Sequence, residues 1–114
     1  MKVMILIQGL YYFLSGLWPL ISIQSFMLIT GPKQDIWLVK TVGVLITSSG
    51  LVLLYNALIN PEISMEVLLL ACCNALMLSA IDIHYVKAGT IRRVYLADAL
   101  IEIIFAGFYL WQFL

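Results

Sequence analysis

The sequence predicts an all-α protein, an integral membrane, up-and-down bundle of four helices. Of its 114 residues, 64% are hydrophobic and only 11% are charged, whereas in soluble domains about a quarter of the residues are charged. The apolar residues fall into four stretches, each near or above the roughly 20 residues that a helix needs to cross a bilayer. The strict alternation over about ten residues that is typical of membrane β-barrels is absent from the sequence.

The four predicted spans are separated by short links that contain helix-terminating residues. In chain order, the spans cover about 3–29, 37–59, 64–85 and 94–114. Gly31-Pro32 follows the first span, Asn60-Pro61 follows the second, and Gly89 lies in the link between the third and the fourth. Glycine is favoured just beyond a helix end, and proline cannot continue a helix. We therefore expect residues 1–114 to form a single four-helix transmembrane domain.

Basic residues are concentrated on one side of this predicted bundle. The first and third links share a side, which carries five of them: Lys33, Lys40, Lys87, Arg92 and Arg93. The opposite side has only Lys2, together with Glu62 and Glu66. Links rich in lysine and arginine stay in the cytoplasm. We therefore expect the loops about 30–36 and 86–93 to be cytoplasmic and both termini to be outside.

Polar side chains form a stripe along three of the predicted spans, because residues three or four apart share a helix face. The stripes are Gln8, Tyr12 and Ser15 on the first span, Asn74, Asp82 and Tyr85 on the third, and Asp98, Glu102 and Tyr109 on the fourth. Polar groups in lipid need protein or water partners. The stripes are therefore expected to face one another in an acidic, aromatic-lined interior.

Two further patterns concern how the helices bend and pack. Pro19 is expected to kink the first helix, because proline lacks the backbone N–H that the preceding turn would accept. Gly43, Thr47 and Gly50 form a small-residue stripe on the second span. Small residues let a neighbouring backbone approach closely, so helix packing is the expected role of this stripe.

Carboxyl groups make the interior the candidate functional site, because ionisable residues inside spans mark proton relays, ion pathways or binding sites. Asp82 and Asp98 lie near the predicted membrane boundary, beside three basic residues that are candidates for structural ion pairs: Lys40, Arg92 and Arg93. Glu102 lies deeper, about 12 Å along the fourth span, and both a functional and a structural role remain open for it. The candidate ligand-binding or proton-exchanging residues are Glu102, Asp98, Asp82, Asn74, Tyr109 and Tyr12.

No metal, cofactor or nucleic acid is predicted. His84 is the only histidine and points away from the polar stripe of its span, so we expect an interfacial hydrogen-bonding role. Cys72 and Cys73 are adjacent, and since neighbouring helical side chains diverge, both are expected to be packing residues. The sequence has no glycine-rich phosphate loop, nucleophile elbow or basic nucleic-acid patch. The expected partners are membrane lipids and, if a transport path needs more volume than four spans enclose, a second copy of the chain.

The first link and the helix end before it carry an unusual density of specialised residues. The link reads GPKQDIWLVKTVG from Gly31 to Gly43, and GLWP precedes it at 16–19. In this pattern and in its four-span layout, the chain resembles small uncharacterised bacterial four-helix membrane proteins of DoxX-like layout. The resemblance implies a bacterial inner membrane location, and that group has no defined catalytic motif to transfer. Without the resemblance, Gly31 and Pro32 are expected to end a helix and Asp35 to cap the next.

Three functions remain open from the sequence. In the first, the interior binds or translocates a small cationic or proton-coupled ligand, with Glu102 as the exchanging or pairing group. In the second, the protein is a non-catalytic membrane interaction subunit in which the stripes only pack helices together. In the third, it is an isomerase-like membrane enzyme for a lipid-like substrate, with Glu102 as general acid or base.

Overall fold

The computed structural model describes residues 2–113, and the side chains of residues 2–112. All regular structure in this range is helical, and the helices are α1 Lys2–Ile21, α2 Ile23–Thr30, α3 Ile36–Ile59, α4 Met65–Lys87 and α5 Tyr95–Phe113. They belong to two compact units, the first ending at Ile63 and the second beginning at Ser64. By length and composition, α1, α3 and α4 are able to cross a membrane. The chain is therefore an all-helical protein with three candidate membrane spans among its described residues.

The predicted spans 37–59, 64–85 and 94–114 coincide with α3, α4 and α5 to within one or two residues at each end that the structure describes. Leu114, the last residue of the predicted fourth span, lies outside the described residues. The candidate spans found among those residues do not include α5. Its 19 residues include Asp98 and Glu102.

The first predicted span, about 3–29, contains two helices instead of one kinked helix. The break lies at Ser22 (φ −143°, ψ 84°), three residues after Pro19, which remains inside α1. The Ser22 side chain accepts a hydrogen bond from the backbone N–H of Ser25 at 3.4 Å. Serine is a preferred N-cap because its hydroxyl satisfies a donor of the first turn. Ser22 therefore starts a new helix instead of continuing α1.

In the first unit, α1 and α3 run antiparallel and approach each other at glycines. A Cβ atom added to Gly50 would lie 2.5 Å from the backbone nitrogen of Phe13 and 2.8 Å from the carbonyl oxygen of Gly9. One added to Gly43 would lie 2.7 Å from the carbonyl oxygen of Gly16. Only glycine permits backbones to approach this closely. The predicted packing role of the small-residue stripe is confirmed, and the helix that it contacts is α1.

Two helices end next to a glycine with positive φ, as their links predicted. Gly31 ends α2 with φ 103°, and Gly89 follows α4 with φ 78°. At the second of these ends, the N–H of Thr90 donates to the carbonyl of Tyr85 at 2.9 Å and the N–H of Gly89 donates to that of Val86 at 3.1 Å. This is the Schellman pattern, which requires a left-handed residue. Both helix terminations predicted from glycine are confirmed.

The capping role expected for Asp35 is met only by its backbone. Asp35 occupies the N-cap position of α3, but its side chain makes no capping hydrogen bond. Its carbonyl oxygen instead accepts from the N–H groups of Leu38 at 3.1 Å and Val39 at 3.2 Å. The start of α3 therefore does not depend on the Asp35 carboxyl.

Replacement of Gly50 by alanine is expected to destabilise the α1–α3 pair by about 1–3 kcal/mol, because the added methyl group overlaps backbone atoms that cannot move aside. Gly107 is the matched control, since a Cβ atom there meets nothing within 4 Å. Gly107→Ala is expected to be neutral or to stabilise α5 by about 0.5–1 kcal/mol. Unfolding in mixed micelles of detergent and dodecyl sulfate, followed by circular dichroism, measures both. Equal stability of the two variants would contradict the close α1–α3 contact.

Candidate functional site

The second unit consists of α4 packed against α5, and each helix has a buried face. On α4 this face comprises Leu68, Ala71, Cys72, Ala75, Ser79 and Asp82. On α5 it comprises Ala99, Glu102, Phe105, Ala106 and Tyr109. Both sets follow the three- and four-residue spacing of one helix face. Alanine supplies two positions on each face, and its small side chain lets the helices pack closely enough for the polar groups to meet.

Two carboxyl groups meet between α4 and α5. Asp82 is 6% exposed, and its side chain lies within hydrogen-bonding reach of that of Asp98. A carboxylate can only accept hydrogen bonds, so a bond between two carboxyl groups contains a proton. Where the two side chains form such a bond, they carry together at most one negative charge. The second oxygen of Asp82, Oδ2, is buried and has no hydrogen-bond partner among the described residues.

Glu102 and Tyr109 extend this pair along α5. Glu102 is fully buried and close enough to Asp82 to interact electrostatically with it. Tyr109 is also fully buried and interacts in the same way with Glu102 and with Cys72. At 1.5 Å per residue, Glu102 lies about 10 Å and Tyr109 about 21 Å from the start of α5. We call Asp82, Asp98, Glu102 and Tyr109 the acidic column.

The positive charges of this unit lie at one end of the acidic column. The sequence of α5 contains no lysine, arginine or histidine, and α4 contains none before His84. Of the predicted ion-pair partners, Arg92 and Arg93 are exposed in the link before α5. Lys40, the third, is exposed on α3 in the first unit. Their pairing with the carboxyl groups stays a prediction.

His84 is exposed near the end of α4, where its ring contacts that of Tyr85 edge to face at a centroid distance of 4.9 Å. Among the residues that the structure describes, no group of three or more His, Cys, Asp or Glu side chains is placed to hold a metal ion.

The two remaining predicted site residues lie outside the acidic column. Asn74 is half-buried at the edge of the buried face of α4. Tyr12 is 2% exposed, on α1 in the first unit, and its ring contacts that of Tyr11 at a centroid distance of 6.2 Å. The structure therefore brings together four of the six predicted residues, which are those on the facing sides of one helix pair.

Sequence analysis missed one buried polar residue, Asn56 of α3. It is 3% exposed, and its side-chain oxygen Oδ1 has no hydrogen-bond partner within the described part of the chain. The signal was available, since Asn56 is the only amide or charged residue between Ser49 and Ile59. A lone amide in an apolar span is costly without a partner.

Comparison of the chain with protein-family models, with curated proteins and with solved structures found no match. The geometry of the site is therefore the basis for the function proposed below.

Replacement of Asp82 by asparagine is expected to keep the contact with Asp98 and to remove the proton that the two carboxyl groups share. The asparagine amide can donate to the Asp98 carboxyl group without a proton shared between two acids. In the infrared spectrum at neutral pH, the carbonyl stretching band of protonated carboxylic acids should be weaker in Asp82→Asn than in wild type. Asp35→Asn, at an exposed carboxyl in the link before α3, is the control and should retain the band. A band equal in wild type and Asp82→Asn would contradict the shared proton.

Proposed function

We propose that this protein is a small integral membrane protein that binds or translocates a proton or a small cation at the acidic column. One observation supports the proposal above the others. The Asp82 and Asp98 side chains lie within hydrogen-bonding reach of each other, directly beside the fully buried Glu102. Two carboxyl groups that share a proton titrate as a pair, and the proton can reside on either of them.

The charge distribution favours a positively charged ligand. The acidic column has three carboxyl groups, and the sequence places no basic residue within α5 or within α4 before His84. Negative charge in an apolar environment needs compensation by a proton or a cation. Entry of a cation therefore compensates the charge that departure of the shared proton creates. This exchange is the elementary step of proton-coupled transport.

The proposal extends to the placement of the chain in the membrane. In it, α5 is the fourth span and packs with the other spans in a four-helix bundle surrounded by lipid. The five basic residues of the first and third links support a cytoplasmic position for both links and an outside position for both termini. We place the protein in a bacterial inner membrane. If four spans enclose too little volume for a transport path, the proposal includes a homodimer.

Glu102→Gln is expected to abolish proton movement into liposomes that contain the protein, because the amide cannot exchange a proton at the centre of the acidic column. A membrane potential set with potassium and valinomycin drives the flux, and a pH-sensitive dye inside the vesicles reports it. Glu66→Gln is the matched control, since Glu66 is an exposed glutamate in the first turn of α4. It should conduct as wild type does.

Binding of an organic cation forms the second arm of this experiment. Equilibrium dialysis of tetraphenylphosphonium against the detergent-solubilised protein should show binding that Glu102→Gln and Asp98→Asn weaken and Glu66→Gln leaves unchanged. Proton flux and cation binding that are both insensitive to Glu102→Gln contradict the proposal. If Glu102→Gln instead changes the association between copies of the chain, the protein is an interaction subunit and the acidic column packs its helices.

A further inference from the structure

A second set of buried polar side chains, none of which belongs to the acidic column, lies in the first unit. Gln8 of α1 is fully buried, and Tyr12 of α1 and Asn56 of α3 are at most 3% exposed. The side-chain oxygen Oδ1 of Asn56 has no hydrogen-bond partner among the described residues. A buried acceptor without a partner is destabilising. A ligand that donates to this oxygen therefore removes a cost that the chain itself leaves in place.

The contact of α1 with α3 brings the two amides to nearly the same level. A Cβ atom added to Gly9 would lie 3.0 Å from Cβ of Leu53, so these two residues are level with each other. Gln8 comes one residue before Gly9, and Asn56 comes three residues after Leu53. Because the helices run antiparallel, both steps lead toward the start of α1, by about 1.5 Å and about 4.5 Å. The two amides are therefore about 3 Å apart along the helix axes.

Gln8, Tyr12 and Asn56 also lie on one side of the α1–α3 pair. Gly9 and Gly50 face the partner helix. At 3.6 residues per turn, Gln8 and Tyr12 are rotated by about −100° and −60° from Gly9, and Asn56 by about −120° from Gly50. On antiparallel helices, rotations of the same sign lead to the same side of the pair. Burial agrees, because the buried side chains of both helices other than glycine are all on this side: Ile5, Gln8, Tyr12, Pro19, Leu53 and Asn56.

The surroundings of these side chains are electrically neutral. The sequences of α1 and α3 contain no aspartate or glutamate. Their basic residues are distant, since Lys2 lies about 9 Å before Gln8 along α1 and Lys40 lies about 24 Å before Asn56 along α3. A cation in an apolar environment needs compensation by negative charge, which neither helix supplies. The ligand that fits here is therefore uncharged, in contrast to the ligand of the acidic column.

We propose that Gln8, Tyr12 and Asn56, which we call the amide site, bind one small uncharged molecule through its hydroxyl group. A hydroxyl both donates and accepts, so it complements an amide, whose oxygen accepts and whose nitrogen donates. Oδ1 of Asn56 receives its proton, and the amide or phenol groups of Gln8 and Tyr12 are the second contact. The near-complete burial of the site limits the ligand to a small molecule. A bound water, which typically pairs with buried polar groups that lack partners, and a short-chain alcohol share this chemistry.

Nuclear magnetic resonance of the full chain in lipid nanodiscs, with ¹⁵N-labelled asparagine and glutamine, tests the amide site. In the first arm, a long-lived bound water should give a nuclear Overhauser effect to the side-chain amide protons of Asn56. In the second arm, methanol should shift the side-chain amide signals of Asn56 and Gln8 saturably. Loss of the water effect during the titration identifies methanol as a ligand of the same site, and its persistence identifies water as the ligand. Gln24, an exposed amide of α2, is the control in the same spectra and should show neither effect.

Asn56→Leu, which keeps a side chain of similar volume without polar atoms, should abolish the response of Gln8 to methanol. Both arms on the wild-type chain remain decisive if this variant fails to fold. Two results would overturn the proposal. The first is the absence of both the water effect and a saturable methanol shift at Asn56. The second is a saturable shift of the Asn56 amide by sodium or potassium chloride, which shows that the site takes a cation.

Discussion

Three helices of this chain are long and apolar enough to span a membrane, and in apolar surroundings their hydrogen-bonding groups need partners within the protein. Several local features of the structure agree with that constraint. Hydroxyl groups inside the helices satisfy it by donating to carbonyls of their own helix. Such bonds, of 2.7 to 3.0 Å, join Thr41 to Trp37, Thr47 to Gly43, Ser48 to Leu45 and Ser79 to Leu76. The ammonium of Lys33 satisfies the end of α2 in the same manner. These polar residues are structural, because their hydrogen bonds are complete within one element.

An ionised carboxyl group cannot meet the constraint in this way, because it has no donor for the carbonyls of its own helix. Asp82 therefore requires a second helix, and its hydrogen bond to Asp98 across the α4–α5 pair requires a proton. Glu102 lies in the same buried column. Serine and threonine meet this constraint within their own helix, whereas the carboxyl groups meet it by lying together between two helices. The constraint therefore separates candidate functional residues from structural ones.

The four-residue spacing of Asp98 and Glu102 was enough to predict that both carboxyl groups face one side of α5, and the structure agrees. It was not enough to identify a partner for Asp98, which sequence analysis assigned to basic residues near the same boundary. The structure places the Asp82 carboxyl within hydrogen-bonding reach of Asp98, and the pairing of Asp98 with a basic residue stays a prediction. Local sequence contains no information on the register of two helices, because small side chains such as those of Ala75 and Ala99 permit several registers.

The break at Ser22 was hidden for a related reason. A serine in an apolar run is compatible with a helix that continues and with one that starts, since its hydroxyl can bond back to the preceding turn or cap the next. Trp18, Ser25 and Phe26 select the second state by contacts across the break. These residues come into contact only after the backbone bends, so the periodicity of a continuous helix does not predict their contacts.

The sequence by itself determined the properties that depend on neighbouring residues. These are the helical class, the apolar lengths of the segments, their ends at Gly31 and Gly89, and the faces on which polar groups lie. Each follows from local backbone preference and from the period of the helix. Only the tertiary structure decided which faces meet: the small-residue stripe with α1, and Asp82 with Asp98. The physical reason is that packing depends on the shape and register of two surfaces, and residues distant in the chain set those together.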